Sequence, residues 1–313
     1  MASIIQSSQK EKEGELKFGL NLINGLYEGT YYSNAYAPRY ISVNFHKENS
    51  LLSISGGIIW GRVTSFQEND IANATLKDPQ LPTLIKMNDE TLLLSIPTFL
   101  IDGGVFNKFL MDNFAALTTT KNLIIDIRGN WGGNGIYFDL MGLYAIRPVV
   151  SDTGYALSSP DNIAYFKKNS SKSKNDPFRP VVEDMEKNIG MQVEGPRFSP
   201  KKLPTIPSSL KKVIIVTDES NMSAAETFIL FSKASSDIVT TIGKPTGGVV
   251  DYNNINMIKV GCEKRGMQFG YPTYSLNKSV VKNGYNKKGI QPDIYSDKNS
   301  KELFQFILDY LKK

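Results

Sequence analysis

Leu123-Ile124-Ile125-Asp126-Ile127-Arg128-Gly129-Asn130-Trp131-Gly132-Gly133 is the stretch that decides how this chain folds. It begins as a continuous apolar run, the pattern of a strand buried on both faces of a parallel sheet. It then passes to charge and glycine, so the strand must end in a tight turn of a kind glycine permits. The Asp126 and Arg128 charges at the strand end read as an ion pair that pins this turn. A helix is expected from about Tyr137 to Ala145. The turn lacks the lysine-plus-hydroxyl ending of a phosphate-binding loop, so glycine here serves the bend or a close backbone approach.

The same rhythm extends outward. Thr91 to Ile96 reads as a strand, and Val105, Phe106, Phe109, Leu110, Phe114 and Leu117 recur at helical spacing as one apolar stripe. Downstream come a strand at Val213–Val216, a helix from Ser223 to Ser235 and a strand from Ile238 to Ile242. Further β-type segments lie around Ile255–Val260 and Met267–Tyr274, and Leu303, Phe304, Ile307, Leu308 and Leu311 mark a closing amphipathic helix. Strands alternating with helices predict an α/β (α+β) fold, a mixed and largely parallel sheet with flanking helices. Two regions break the rhythm. Residues 16–88 read as a small β-rich unit, with Ile41, Val43 and Phe45 alternating with polar residues ahead of a Gly56-Gly57 turn. Residues 89–313 form the α/β domain, interrupted at about 150–209 by a stretch rich in Ser, Lys, Asn and Pro with a short helix around Val181–Asn188. So long a break is expected to be a cap, a substrate-contacting flap or a mobile excursion.

Composition narrows the chemistry. Of 313 residues, 41% are hydrophobic and 21% charged, the make-up of an ordinary soluble globular protein. The net charge of +5 comes from scattered lysines without an aromatic-interleaved basic cluster, which argues against nucleic acid as a partner. One cysteine, Cys262, excludes an intramolecular disulfide and a thiolate metal cluster, and one histidine, His46, excludes multi-histidine metal sites. No metal or other cofactor is expected. No run reaches the roughly 20 apolar residues of a membrane helix. Met1–Glu15 lacks an apolar signal core, so the chain as it stands reads as cytoplasmic, or as extracytoplasmic where an export segment has been removed.

Chemistry gathers at Met222-Ser223-Ala224-Ala225-Glu226, where a helix opens shortly after the Val213–Val216 strand. A serine in the first turn sits at the positive end of the helix dipole, next to an N–H with no partner inside the helix. A nucleophile with oxyanion-binding N–H groups is the minimum equipment for acyl transfer. Ser-x-x-Glu at a helix start is equally a capping box, with Ser223 as cap and Glu226 returning the bond. The residues alone leave both readings open.

The Asp126–Gly133 segment resembles the D-x-R-x-N-x-G-G motif of the tail-specific (C-terminal processing) serine peptidase superfamily. Three further elements follow in that family's order: Ser223-Ala224-Ala225-Glu226, Gly243-Lys244-Pro245-Thr246-Gly247-Gly248 and Gly289-Ile290-Gln291-Pro292-Asp293. The similarity covers Asp89 to Ile294, about two thirds of the chain. It implies the tail-specific peptidase or crotonase-like sheet and a serine-type peptidase acting on a peptide or protein substrate. Ser223 matches the nucleophile, and the N–H groups of Ala224 and Gly133 match the oxyanion hole, with Gly132, Thr246 and Gly247 expected beside the substrate. The chain departs from the family where a lysine base would close the loop, since Thr246-Gly247-Gly248-Val249 has none. Asp251-Tyr252 resembles a variant branch in which this pair replaces the lysine and contacts substrate or orients the serine. Lys259, in a strand with apolar neighbours, and His46 are the candidates for a base. No peptide-binding insert of the PDZ kind is visible. The rival to a peptidase is a protein of this fold that has lost its base and binds peptide or an apolar ligand.

Overall fold

A computed structural model describes residues 2–3, 16–23, 26–32, 38–46, 51–54, 58–61, 81–150, 154–171, 173, 176–196, 201–259, 268–276, 282 and 284–313. The first of these form an antiparallel meander of β1 (Ala2–Ser3), β2 (Leu16–Ile23), β3 (Leu26–Tyr32), β4 (Pro38–His46), β5 (Leu51–Ile54) and β6 (Ile58–Gly61), each paired with the next. The β-type alternation around Ile41–Phe45 falls on β4. His46 ends that strand opposite Leu51.

The chain continues through β7 (Thr83–Asn88), β8 (Thr91–Ser95), α1 (Gly103–Asp112), α2 (Phe114–Thr119), β9 (Asn122–Asp126) and α3 (Tyr137–Met141). After β10 (Tyr155–Leu157), α4 (Pro160–Asn169), α5 (Arg179–Lys187) and β11 (Gln192–Glu194) come β12 (Lys212–Thr217), α6 (Ala224–Ser235) and β13 (Val239–Gly243). The hairpin β14 (Tyr252–Lys259) and β15 (Gln268–Ser275) precedes β16 (Ile294–Tyr295) and α7 (Ser300–Leu311).

The main sheet runs β16-β13-β12-β9-β8-β7. Its pairs from β8 to β16 are parallel and β7 alone is antiparallel, so the expected largely parallel α/β sheet is present. Because β7 pairs with β8, this sheet reaches back across the 88/89 division drawn from the sequence. Every residue of β9 is buried, as its unbroken apolar run requires. Successive side chains alternate faces. Leu93, Ile124, Ile214, Val216 and Ile242 meet Leu303, Phe304 and Ile307 of α7. Elsewhere in the core Phe99, Tyr137 and Phe228 form an aromatic cluster with ring centroids 5.3 to 5.5 Å apart, tying α3 to α6. The stripe read from Val105 to Leu117 divides into α1 and α2 around Asn113, and only Phe106 and Leu117 are buried in them. Val105 and Phe114 are exposed, because two short helices do not keep one face in register.

A second compact unit comprises Arg147–Leu203 and Gly247–Ile290. Its sheet runs β11-β10-β15-β14, so the residues read as an interruption share a sheet with the β14–β15 hairpin. Ala156, Phe166, Val181, Val182, Met185 and Val193 form its core, where α4 and α5 cover one face of the sheet. The helix expected at Val181–Asn188 is α5; α4 was not expected, although Ser159 caps it and Pro160 opens it.

Candidate active site

A parallel sheet delivers the carboxyl ends of its strands to one edge, and sites form there. Asp126 of β9 pairs with Val216 of β12, and Thr217 of β12 with Gly243 of β13. The loops after these three strands therefore emerge side by side. They are the glycine turn, the Ser223 segment and the Thr246 loop.

The glycine turn is built by its own polar residues. Asp126 and Arg128, both buried, form a two-pronged ion pair, with Arg128 Nε 2.9 Å from Oδ1 and Nη2 2.7 Å from Oδ2. Arg128 also donates to Ser300 Oγ at 2.8 Å and lies over the Phe304 ring, so the turn is anchored to α7. Asn130 Nδ2 donates to the Ile96 carbonyl at 3.0 Å, and its Oδ1 accepts the Gly132 N–H at 2.9 Å.

Two residues outside the sequence expectation join this turn to the serine loop. Asn221, fully buried, donates through Nδ2 to the carbonyls of Ile127 (2.5 Å) and Asn130 (3.2 Å). Asp218 accepts the Gly129 N–H on both oxygens at 3.1 Å and the Ser220 N–H at 3.0 Å. Burial pushes the Asp218 carboxyl up to about 6, against the lowering effect of the Gly129 N–H and the Arg128 charge. The signal for both lay in Asp218 and Asn221 preceding Ser223 in a loop too short for chance polar burial; buried polar groups need partners.

Ser223 is exposed and has φ 53°, ψ −117°, outside the conformations a residue with a side chain ordinarily adopts. Such backbone costs on the order of 1–3 kcal/mol and persists only where the surroundings enforce it. The enforcement is visible: the Ser223 N–H donates to Glu226 Oε2 at 3.1 Å, and buried Glu226 receives Thr246 Oγ1 on Oε1 at 2.5 Å. Both arms of a capping box are in place, although only the Glu226 arm has full hydrogen-bond geometry. Cap and candidate nucleophile are thus compatible. The box ties Ser223 to the Thr246 loop.

Gly132 lies directly against this serine. A Cβ on it would stand 2.7 Å from the Met222 carbonyl, 3.0 Å from the Ala224 nitrogen and 3.1 Å from Ser223 Cβ, at φ +108°. Gly133 packs the other way, onto Phe99, where a Cβ would lie 2.3 Å from the Phe99 carbonyl carbon. In that parallel bridge Phe99 bonds to Gly132 and Asn134, which leaves the Gly133 N–H directed away from it. The Gly132 N–H is used by Asn130, whereas those of Gly133 and Ala224 have no acceptor among the described residues.

The structure therefore brings Ser223, Ala224, Gly132, Gly133 and Thr246 into one constellation within the first compact unit. Asp251 and Tyr252 belong to the second unit, with Gly247 at its start. Asp251 is fully buried and accepts the Asn286 N–H on Oδ2 at 2.5 Å, tying the start of β14 to the turn before Gly289. Tyr252 opens β14 and is partly exposed. Lys259 ends β14 opposite Gln268, seven residues beyond Tyr252, and its side chain, like that of His46, lies outside the described residues. Among the described residues no hydrogen bond joins the Ser223 hydroxyl to another side chain, and no group of three or more metal-ligating side chains occurs. No described helix is long and apolar enough to cross a membrane.

A largely parallel α/β sheet with a glycine turn and a strained serine at its carboxyl edge defines the tail-specific peptidase class of fold. The chain belongs to peptidase family S41, whose profile matches residues 90–296. Among solved structures it is similar to mature CPAF complexed with lactacystin, at 13% identity over 94% of this chain and 68% of that one, TM-score 0.53. Mature CPAF by itself gives 15% identity over 96% and 67%, TM-score 0.51. The photosystem II D1 C-terminal processing protease gives 10% identity over 88% and 56%, TM-score 0.44. No curated protein matches the sequence.

Proposed function

We propose that this chain is a serine-type peptidase that cleaves peptide bonds through a Ser223 acyl-enzyme. The observation that carries the reading is the positive φ of Ser223, a strained backbone at an exposed serine with the Ala224 N–H beside it and Gly132 pressed against both. Ser223 Oγ attacks the substrate carbonyl carbon, and the oxygen that becomes negative is held by the N–H groups of Ala224 and Gly133. Preorganised donors of this kind are worth about 2.7–4 kcal/mol each in the transition state. The C–N bond then breaks, the amine leaves with a proton, and water releases the acyl group from Ser223. Gly132 and Thr246 border the peptide, whereas Asp251, fully buried and bonded to the Asn286 N–H, is closed to it. Lys259 or His46 takes the serine proton. The substrate is a peptide or protein, and the chemistry requires no metal or cofactor.

A second reading has its own support. No hydrogen bond joins the Ser223 hydroxyl to a basic side chain among the described residues, and Thr246-Gly247-Gly248-Val249 carries no lysine. A protein that kept the fold and lost the base would bind peptide in the same place. A fluorophosphonate probe separates the two: labelling that disappears in Ser223→Ala supports the peptidase. Absence of labelling from neutral to alkaline pH supports the binding protein.

A further inference from the structure

Two loops carry the candidate site, and one carboxylate fastens them together. Asp218, in the loop that leads to Ser223, is 5% exposed and presents both oxygens to the Gly129 N–H, at 3.1 Å each. Its Oδ1 also accepts the Ser220 N–H at 3.0 Å, and its own N–H donates to Asn221 Oδ1 at 2.8 Å. The carboxylate thus belongs to the serine loop and grips the root of the glycine turn. From Gly129 the constraint passes along that turn. Asn221 holds the Asn130 carbonyl, Asn130 Oδ1 holds the Gly132 N–H, and Gly132 stands against Ser223 with Gly133 next in the chain. Asp218, Asn130 and Asn221 are all buried, so they act on the reacting atoms only by placing N–H groups.

Charge decides how firm this grip is. A hydrogen bond to an ionised carboxylate is about twice as strong as one between neutral groups. A proton on Asp218 must occupy one of the two oxygens that Gly129 uses. An asparagine there has the same defect, because in either orientation its Nδ2 would lie about 3.1 Å from the Gly129 nitrogen, donor against donor. Among the described residues, the cation facing Asp218 is Arg128 of the glycine turn, itself engaged by Asp126. The facing anion is Glu219 of the same loop, paired at 3.2 Å with Lys244 from the loop after β13. Burial outweighs the Gly129 bond and the Arg128 charge and lifts the Asp218 carboxyl to about 6.

We propose that Asp218 is a positioning residue of the oxyanion hole: its ionised carboxylate holds the glycine turn so that the Gly133 N–H is aimed alongside that of Ala224, and protonation loosens that aim. The inference rests on the peptidase reading and adds to it a proton-controlled element outside the reacting groups.

The test follows fluorophosphonate labelling of the full chain across a range of pH, with saturation kinetics separating the maximal rate from the half-saturating concentration. Glycine-selective nitrogen labelling follows the Gly129 and Gly133 N–H resonances in the same samples. As Asp218 ionises, the maximal rate of the parent should rise about tenfold at unchanged half-saturation, the gain from charge on the Gly129 bond. Both glycine resonances should move with the same midpoint. Asp218→Asn, still folded by circular dichroism, should lack that step and label at the low rate of the protonated parent. Any step from the base of Ser223 is common to both proteins. Retention of the Asp218 step by Asp218→Asn, or a change confined to half-saturation, overturns the proposal. A parent that does not label at all would refute the peptidase reading, and the resonances would still decide the clamp. Gly133 titrating with Gly129 supports it, and a Gly133 resonance that stays still overturns it.

Discussion

Replacing Gly132 by alanine tests the core of the active-site reading, because the added methyl has nowhere to go. Its Cβ would meet the Met222 carbonyl at 2.7 Å and the Ala224 nitrogen at 3.0 Å, at a backbone φ of +108°. The conformation alone costs about 1–3 kcal/mol for a residue with a side chain. Overpacking against backbone adds about 1–3 kcal/mol more. The relief available is movement of the Ala224 N–H, the donor assigned to the oxyanion, and its loss lowers the rate by a factor of about 10²–10³. Gly190 supplies the control: its φ is +81°, but nothing lies within 4 Å of the Cβ it would gain. Gly190→Ala should therefore carry the conformational cost alone and keep full reactivity. The assay is the second-order rate of fluorophosphonate labelling, measured beside chemical denaturation of each variant. The reasoning fails if Gly132→Ala labels within a factor of about three of the parent, or if Gly190→Ala loses as much rate.

Asp218 predicts a pH dependence of stability. Its folded value of about 6 lies above the roughly 3.9 of an unfolded aspartate, so the folded state binds the proton more tightly. The stability this contributes is fully present below about pH 4 and is lost as pH rises through about 6, a change of roughly 3 kcal/mol. Asp218→Asn should flatten the wild-type decline over that window in denaturation at successive pH values; an unchanged slope would contradict the burial argument. Ser223→Gly removes the side chain from a positive-φ position, so it should raise stability by about 1 kcal/mol while abolishing labelling. A loss of stability instead would mean that the serine backbone is not strained.

Much of the fold was legible because the signals were local. The all-buried run of β9, the ordered motifs at Gly132-Gly133, Ser223, Thr246 and Pro292-Asp293, and the apolar face of α7 each state a requirement within a few residues. The α4 helix was legible too, in Ser159-Pro160-Asp161, but was obscured by the polar composition around it. The stripe from Val105 to Leu117 was over-read, since periodicity records apolar spacing and not what lies opposite to bury it.

By itself, then, the sequence determined the parallel α/β class, the order of the loops and the serine at a helix start, because periodicity and turn chemistry are written in neighbouring residues. Only the tertiary structure decided that Asp218 and Asn221 would clamp the glycine turn, across separations of 89 and 94 residues, or that Glu226 would join Ser223 to Thr246. It also decided which glycine does what. The N–H of Gly132 is consumed by Asn130, and that of Gly133 is turned away from Phe99 by their bridge. Such facts depend on which strands lie adjacent, and adjacency in a parallel sheet is set by long crossover connections that no local pattern encodes.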